Sequence, residues 1–184
     1  PALAFMRLNV SEKDFPTAGK FVYLNAANVA LMYGGAQQVM REWQEDVAWN
    51  GSNNFNENAE ESVFQELHLA ASRLINAGQE DIAAGSSATE LLCSLAWAVS
   101  PLKNQNVVST EIVFPSTIYP WQRVANATGF EIRLAKEKNN FINVDDIIAL
   151  IDKETSAVSI SHVEYGNGQT FDLGLLAEAA HDHN

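Results

Sequence analysis

Apolar residues recur at helical spacing in the first part of the chain. One series begins at Gly35, and a second follows a polar, asparagine-rich segment at 50–61, which we expect to be a loop. Both series predict amphipathic helices. The first contains Ala36, Val39, Met40, Trp43 and Val47, and the second contains Val63, Phe64, Leu67, Ala70, Ala71, Leu74 and Ile75 and ends near Gly78. Before them, we expect residues 1–19 to form an N-terminal arm.

Strand and helix patterns alternate in the rest of the chain. Buried strands are predicted at 106–114, 130–135 and 156–163, and helices at 87–99, 117–129, 143–152 and 173–184. This order is typical of a parallel sheet covered by helices. We therefore expect an α/β fold in which the sheet is mostly parallel and helices cover both faces. Ligands of such sheets bind where strands end and helices begin. The candidate loops are "GSSATE" (85–90), "EIVFPSTIYPW" (111–121) and "SHVEYGNGQT" (161–170).

Composition and charge narrow the possible partners. The chain has 184 residues, 47% of them hydrophobic, and a formal net charge of -12, which argues against binding to nucleic acid or to an anionic membrane surface. The single cysteine, Cys93, permits no internal disulfide, and we expect it to lie in the core. The N-terminal segment is too interrupted for a signal peptide, and the sequence has no long apolar run typical of a membrane span. We expect a cytoplasmic protein.

The first candidate loop supports two interpretations. Ser87, followed by Glu90 three residues later, fits a capping box, in which each side chain accepts a hydrogen bond from the other's backbone N–H. A cap needs one hydroxyl, however, and Ser86 and Thr89 supply two more beside the small Gly85. Small residues at a helix N-terminus allow an anion to approach free N–H groups. Both a simple helix cap and an anion site remain open at this point.

The other two loops carry an aromatic residue, a histidine and two glycines. Phe114 precedes Pro115, which biases its backbone toward an extended conformation. Its ring is either the last core residue of a strand or a plate on which a flat ligand stacks. We expect His162 to be a hydrogen-bonded residue at a strand end, and His181 and His183 to be solvated, because nothing completes a metal shell. No metal site is predicted.

The three loops, in this order, resemble those of the class V aminotransferase family of fold-type-I enzymes that use pyridoxal 5'-phosphate (PLP). That family includes cysteine desulfurases, kynureninases and isopenicillin-epimerase-like proteins. "VYLNAANVALM" is similar to its opening segment, and "GSSATELL" to its phosphate loop. "EIVFPSTIYPW" resembles the ring-stacking segment, and "SHVEYGNGQTFDL" the strand end of kynureninases. The resemblance implies that 20–184 is the first half of the PLP-binding large domain.

The resemblance also implies roles for particular residues. The phosphate of PLP would be held by Ser86, Ser87, Ala88 and Thr89. Phe114 would stack on the ring, Thr117 and Tyr165 would lie near its polar edge, and Ala27 and Asn28 would approach an amino-acid substrate. Family members are homodimers, so a homodimer is expected. The implied reaction is transamination, desulfuration or β-cleavage.

Departures from the family pattern leave the subfamily open. Kynureninases have Asp at the place of Thr117 and Asn at the place of Glu164, and desulfurases have Asn at the place of Tyr165. The lysine that forms the Schiff base with PLP and the acid that holds the pyridine nitrogen are expected beyond residue 184, so no catalytic residue is assigned. We expect the chain to be part of a longer protein. The alternative is a non-catalytic α/β module that binds a phosphate or a nucleotide.

Overall fold

A computed structural model describes residues 11–17 and 19–183. The chain divides into two compact units, the first ending at Asn76 and the second beginning at Ala77. Most of the predicted N-terminal arm, 1–19, lies outside the described residues. Its described part contains a short 3₁₀ turn at Glu12–Asp14, which is capped by the Ser11 side chain.

The described residues of the first unit form three α-helices, α1 (Gly34–Asn50), α2 (Glu57–Ser62) and α3 (Gln65–Ile75). Helices α1 and α3 confirm the two predicted amphipathic helices. The prediction of a loop throughout 50–61 was wrong, because α2 begins within it. The Asn56 side chain accepts a hydrogen bond from the Ala59 N–H at 3.1 Å, and Glu57 and Glu60 occupy the first turn, where acids favour a helix. Capping thus creates a helix that apolar periodicity does not reveal.

The second unit is built on a three-stranded parallel sheet. Its strands are β1 (Asn106–Thr110), β2 (Glu131–Ala135) and β3 (Thr155–Val158), in the order β2-β1-β3. Every residue of the central strand β1 is buried. The first predicted strand, 106–114, is too long, since the strand ends at Thr110. Ile112 and Val113 are apolar because they pack inward from the loop that follows, and not because they pair in the sheet.

Helices cover both faces of this sheet, as predicted. They are α4 (Ala88–Val99), α5 (Pro115–Thr128), α6 (Val144–Ile148) and α7 (Leu173–His181). Because strand side chains alternate, Val107 packs with Ala96 of α4 and Trp121 of α5, whereas Val108 packs in a second cluster with residues of α6 and α7. No helix within the described residues combines the length and apolar character needed to cross a membrane.

A polar network fastens the amino ends of the strands. The Arg133 guanidinium donates to the Asp152 carboxylate at 2.6 Å and to the Leu150 carbonyl at 3.1 Å. The Asn106 amide donates to the same carboxylate group at 3.0 Å. These interactions, led by the Arg133 hydrogen bond, lower the pKa of Asp152 to about 2. The network lies at the opposite end of the sheet from the candidate loops.

Candidate active site

The N-terminus of α4 begins at a side-chain cap. The Ser87 backbone is extended, and its hydroxyl accepts a hydrogen bond from the Glu90 N–H at 3.2 Å. This contact confirms one half of the predicted capping box. The reciprocal half differs, because Glu90 Oε2 accepts from the Ser86 N–H at 2.8 Å and from the Ser86 hydroxyl at 2.5 Å. The box therefore closes on Ser86, one residue earlier than the sequence suggests.

The loop before α4 already binds an anionic group, the carboxylate of Glu90. Ser86 supplies two donors to the Glu90 carboxylate, and they lower the pKa of Glu90, the hydroxyl contributing most. No acceptor for the N–H groups of Ala88 and Thr89 is found within the part of the chain that the structure describes. The side chains from Ser86 to Thr89 are exposed at the start of a twelve-residue helix. This donor set suits a phosphate, for which Glu90 is a competing anion.

Gly85 allows the loop to approach the first turn of α4 closely. A Cβ at this position would lie 2.8 Å from Leu91 Cδ2, which is closer than real side chains pack. The loop therefore lies against the helix that it caps. Because this approach keeps the backbone of Ser86 near the Glu90 carboxylate, a larger residue at 85 would displace the donors.

Phe114 caps the N-terminus of α5, with Pro115 in the first helical turn. Its backbone is extended, as the proline predicts. The side chain is 47% exposed, so the interpretation as the last core residue of a strand was wrong. The ring contacts that of Tyr165 edge-to-face, with centroids 5.1 Å apart and planes at 87°. The structure thus leaves one aromatic surface of the loop accessible to a ligand.

Tyr165 lies in a tight turn after β3. The Glu164 N–H donates to the Gln169 carbonyl at 2.8 Å, and the Gly168 N–H donates to the Glu164 carbonyl at 2.9 Å. Gly168 has a φ of +73°, which favours glycine. The Gln169 side chain bonds to the backbone of Ile142 on the neighbouring β2–α6 connection, with its amide donating to the carbonyl and its oxygen accepting from the N–H at 2.9 Å. These bonds fix the backbone of the turn that carries the exposed Tyr165 ring.

Cavities surround these strand ends. A cavity of about 500 Å³ is lined by Thr110, Pro115, Tyr119 and Tyr165, among others. A smaller one, of about 260 Å³, also borders Tyr165. Its lining residues are Glu111, Ile112, Asn140, Glu164, Tyr165, Gly166 and Asn167. The Phe114–Tyr165 pair therefore stands beside two cavities at the carboxyl ends of β1 and β3, where a ligand of a parallel sheet is expected.

Thr117 lies in the first turn of α5, where its N–H donates to the Phe114 carbonyl at 2.9 Å. It is only 9% exposed, and its backbone carbonyl accepts a hydrogen bond from the Ser159 hydroxyl at 3.0 Å. It lines a third cavity, of about 500 Å³, with Leu92 and Trp121. The structure thus brings Phe114 and Tyr165 together and places Thr117 beside the end of β3.

Glu164 is a site residue whose burial the sequence does not indicate. It is 2% exposed, and neither carboxylate oxygen makes a hydrogen bond of standard geometry with a described residue. Burial raises its pKa, while the nearby Thr110 hydroxyl lowers it to a smaller extent. An acid in a glycine-rich loop is ordinarily solvated, so only the packing of the turn against β1 reveals this group.

The residues predicted to contact the substrate, Ala27 and Asn28, belong to the first unit. Ala27 and Asn28 are exposed, and the Asn28 N–H donates to the Asn25 carbonyl at 3.1 Å in a turn. The Tyr23 hydroxyl donates to the Val29 carbonyl at 2.5 Å and closes this segment. The segment is therefore a locally bonded turn with accessible side chains.

The remaining candidates are histidines and a cysteine. His162 is exposed, and its carbonyl accepts from the Phe171 N–H at 3.0 Å. His183, also exposed, contacts the Ala179 carbonyl through Nδ1 at 2.8 Å. No group of three or more His, Cys, Asp or Glu side chains within the described residues is arranged to hold a metal ion. Cys93, predicted to lie in the core, is half-buried on α4.

Part of this chain is similar in sequence to curated proteins. A cysteine desulfurase of Haloferax volcanii is 28% identical over 126 residues, which are 65% of this chain and 30% of that protein. A kynureninase of Geobacillus thermodenitrificans is 30% identical over 115 residues, which are 59% of this chain and 27% of that protein. The aligned part of the chain thus spans less than a third of the length of each of these two curated relatives.

Solved structures share the fold. A mutant of C-DES with glycine covalently linked to the PLP cofactor superposes with a TM-score of 0.80 at 18% identity, covering 95% of this chain and 46% of that one. The apo cysteine desulfurase of Thermococcus onnurineus NA1 gives a TM-score of 0.78 at 19% identity, covering 94% and 44%. The described fold therefore matches part of a desulfurase chain.

A family-level comparison covers most of the sequence. The family described as aminotransferase class-V matches residues 22–184, which include all three candidate loops. The chain therefore belongs to the class V aminotransferase family.

Proposed function

We propose that this chain is part of a PLP-dependent enzyme that acts on an amino acid. In this proposal the chain binds the phosphate of the cofactor and contacts its ring. Enzymes of this family use PLP, and one structural neighbour carries it. The observation that carries the proposal is the donor set before α4, which already binds a carboxylate through Ser86 and leaves the N–H groups of Ala88 and Thr89 without acceptors among the described residues. The whole protein's reaction is transamination, desulfuration or β-cleavage.

The phosphate-binding role falls to four consecutive residues. The free N–H groups of Ala88 and Thr89 and the hydroxyls of Ser86 and Thr89 supply donors, and the helix dipole adds partial positive charge. Ser87 keeps its capping bond to Glu90 while its neighbours bind the anion. Capping and anion binding are therefore compatible in this loop. The Glu90 carboxylate leaves the Ser86 donors when a phosphate takes its place.

The ring-binding role falls to Phe114, with Tyr165 beside it. Phe114 is half exposed, and the edge of one ring against the face of the other keeps both rings oriented. When bound, PLP supplies an electron sink for bond cleavage at the α- or β-carbon of an amino acid. Phe114 orients the ring plane, and the Tyr165 hydroxyl and Thr117 are proposed to lie near its polar edge. We assign Ala27 and Asn28 to contacts with the amino-acid substrate.

No lysine of this chain is assigned a catalytic role. All six are exposed, and none lines the three cavities described above: Lys13, Lys20, Lys103, Lys136, Lys138 and Lys153. Three of them form ion pairs with acids, Lys136 with Glu111, Lys138 with Asp146 and Lys153 with Glu154. We propose that the reactive lysine is supplied by chain beyond residue 184.

A homodimer is part of the proposal. Helix α1 presents the apolar side chains of Val39, Met40, Trp43 and Val47, each at least 40% exposed. An apolar helix face of this kind is stabilised when a second surface covers it. A dimeric mass in light scattering at micromolar concentration supports this part, and a monomeric mass contradicts it.

A binding experiment with three ligands tests the function. The protein is dialysed against PLP, pyridoxal and ATP in parallel, and the bound fraction of each is measured. We expect saturable PLP binding, much weaker pyridoxal binding because the phosphate is missing, and no ATP binding. Preferential ATP binding would favour the alternative of a nucleotide-binding module. Equal affinity for PLP and pyridoxal would contradict phosphate binding by the loop at residues 86–89.

A further inference from the structure

The carboxyl group of Glu164 and the hydroxyl of Thr110 are buried together at the carboxyl end of the sheet. Thr110 ends β1 and is 1% exposed, and Glu164 follows β3 and is 2% exposed. Neither side chain makes a hydrogen bond of standard geometry to another described residue. The Thr110 hydroxyl lowers the pKa of the Glu164 carboxyl group, against the larger and opposite effect of burial. Each is therefore the polar neighbour available to the other.

The charged side chains described around this pair do not balance the negative charge that an ionised Glu164 would carry. Glu111, next to Thr110, lines the same small cavity as Glu164, but its carboxylate is paired with Lys136. Lys138 is paired with Asp146, and the Glu137 carboxylate accepts from the Asn140 N–H, so that carboxylate adds only negative charge. The Tyr165 phenol also lines this cavity. Because an isolated buried charge is costly, the neutral form of Glu164 is favoured.

The same two residues stand at the base of both loops that carry the aromatic pair. The loop that leads to Phe114 begins directly after Thr110. The turn that holds Tyr165 is closed by the backbone of Glu164, which bonds to Gln169 and Gly168 at 2.8 and 2.9 Å. A displacement of Glu164 is therefore transmitted to Tyr165, whose ring touches that of Phe114.

We propose that Glu164 is a positioning residue. Its neutral carboxyl group, in contact with the Thr110 hydroxyl, ties the turn after β3 to the end of β1 and thereby sets the Phe114–Tyr165 ring pair. The inference rests on the proposed function only in treating that pair as the ring site. In this contact the Thr110 hydroxyl donates to an oxygen of the carboxyl group, and no bond to a ligand is required.

This role predicts which substitutions preserve the ring pair. Glutamine matches glutamate in shape, is neutral at every pH and can accept from the Thr110 hydroxyl through its amide oxygen, so Glu164→Gln keeps the contact. Thr110→Val keeps the shape of the side chain but removes the hydroxyl. Because that hydroxyl lowers the pKa of Glu164, its loss raises the pH at which the carboxyl group ionises.

Fluorine NMR of the ring site tests the proposal without added cofactor. The protein is produced with 4-fluorophenylalanine, and the Phe114 resonance is assigned by its loss in Phe114→Leu. The pH is then raised from 4 to 9 in the wild type, Glu164→Gln and Thr110→Val. Glu178→Gln, which removes an exposed acid on α7, serves as the matched control.

We expect the wild-type Phe114 resonance to shift in one step whose midpoint lies above about 4.3, the ordinary value for glutamate. The step is absent in Glu164→Gln, moves to higher pH in Thr110→Val and is unchanged in Glu178→Gln. A wild-type resonance that does not respond to pH would overturn the proposal even if Glu164→Gln failed to fold. A step that persists in Glu164→Gln would also overturn it. PLP affinity is measured separately, so loss of the positioning role and loss of the proposed function give different results.

Discussion

The ring of Phe114 meets the ring of Tyr165 edge-on, with centroids 5.1 Å apart and an angle of 87° between the planes. The two residues come from different loops, one after β1 and the other after β3. Because these strands are adjacent and parallel, their carboxyl ends lie together and the two loops meet. A pair that is remote in sequence thus becomes one aromatic surface beside the cavities of the candidate site.

Replacing Phe114 tests the stacking role. Phe114→Leu keeps an apolar side chain but removes the aromatic face, which is worth about 0.5 to 1.5 kcal/mol beyond burial. We expect the dissociation constant for PLP to rise roughly 2- to 10-fold, as measured by fluorescence titration. Phe141→Leu is the matched control, because Phe141 is similarly exposed on another loop. Equal effects of the two substitutions would remove Phe114 from the ring site.

Removing the cap of α4 tests the local structure of the phosphate loop. Ser87→Ala deletes the oxygen that accepts from the Glu90 N–H, and such a loss costs about 1 kcal/mol of unfolding free energy. Ser94→Ala, at an exposed position within the same helix, is expected to be neutral or slightly stabilising. Chemical denaturation of both variants measures the difference. A Ser87→Ala variant as stable as Ser94→Ala would mean that the cap contributes nothing.

Neutralising Glu90 tests its competition with a bound anion. Its carboxylate occupies the Ser86 donors, and its lowered pKa keeps it ionised at neutral pH. Glu90→Gln removes the charge while keeping the length of the side chain. We expect PLP to bind more tightly, since a neutral amide competes for the Ser86 donors less strongly than a carboxylate does. Weaker binding to Glu90→Gln would show that the carboxylate supports the site.

The network at the amino ends of the strands predicts a loss of stability in acid. The folded pKa of Asp152 is about 2, below its ordinary value of 3.8. The contribution of the Asp152 carboxylate to the free energy of unfolding is therefore complete above about pH 3.8 and is lost as the pH falls toward 2. We expect the melting temperature of Asp152→Asn to be lower than that of the wild type at pH 6, with the gap narrowing from pH 4 to pH 2.

An exposed acid provides the comparison for this acid effect. Glu178→Gln should follow the wild-type melting curve over the same pH range, because Glu178 makes no ion pair within the described residues. A constant gap between Asp152→Asn and the wild type down to pH 2 would contradict the assignment of the shifted pKa to Asp152.

The sequence predicts this architecture well because strand and helix periods differ. Continuous apolar runs mark the buried strands, and the alternation of Val107 and Val108 puts helices on both faces. Helix α2 was missed because its start depends on the Asn56 cap and not on apolar spacing. The closure of the capping box on Ser86 depends on the backbone angles at Ser87, which residue types do not specify.

The site was predictable only in part, for related reasons. Ser87 and Phe114 were identified by local signals, namely a cap followed by glutamate and an aromatic residue before proline. The burial of Glu164 and the contact between Phe114 and Tyr165 depend on how two loops pack after the strands have paired. Tertiary packing of this kind leaves no periodic signal in a single sequence.

The affinity of PLP for variants of the phosphate loop tests the central claim most directly. Ser86→Ala combined with Thr89→Val removes two hydroxyl donors and leaves the Ser87 cap in place, whereas Ser94→Ala removes a hydroxyl from the same helix outside the loop. Each charge-assisted hydrogen bond is worth about 1.5 to 3 kcal/mol, so we expect the double variant to bind PLP at least about 10-fold more weakly. Ser94→Ala should bind as the wild type does. Equal PLP affinities for the double variant and Ser94→Ala would contradict phosphate binding by the loop at residues 86–89.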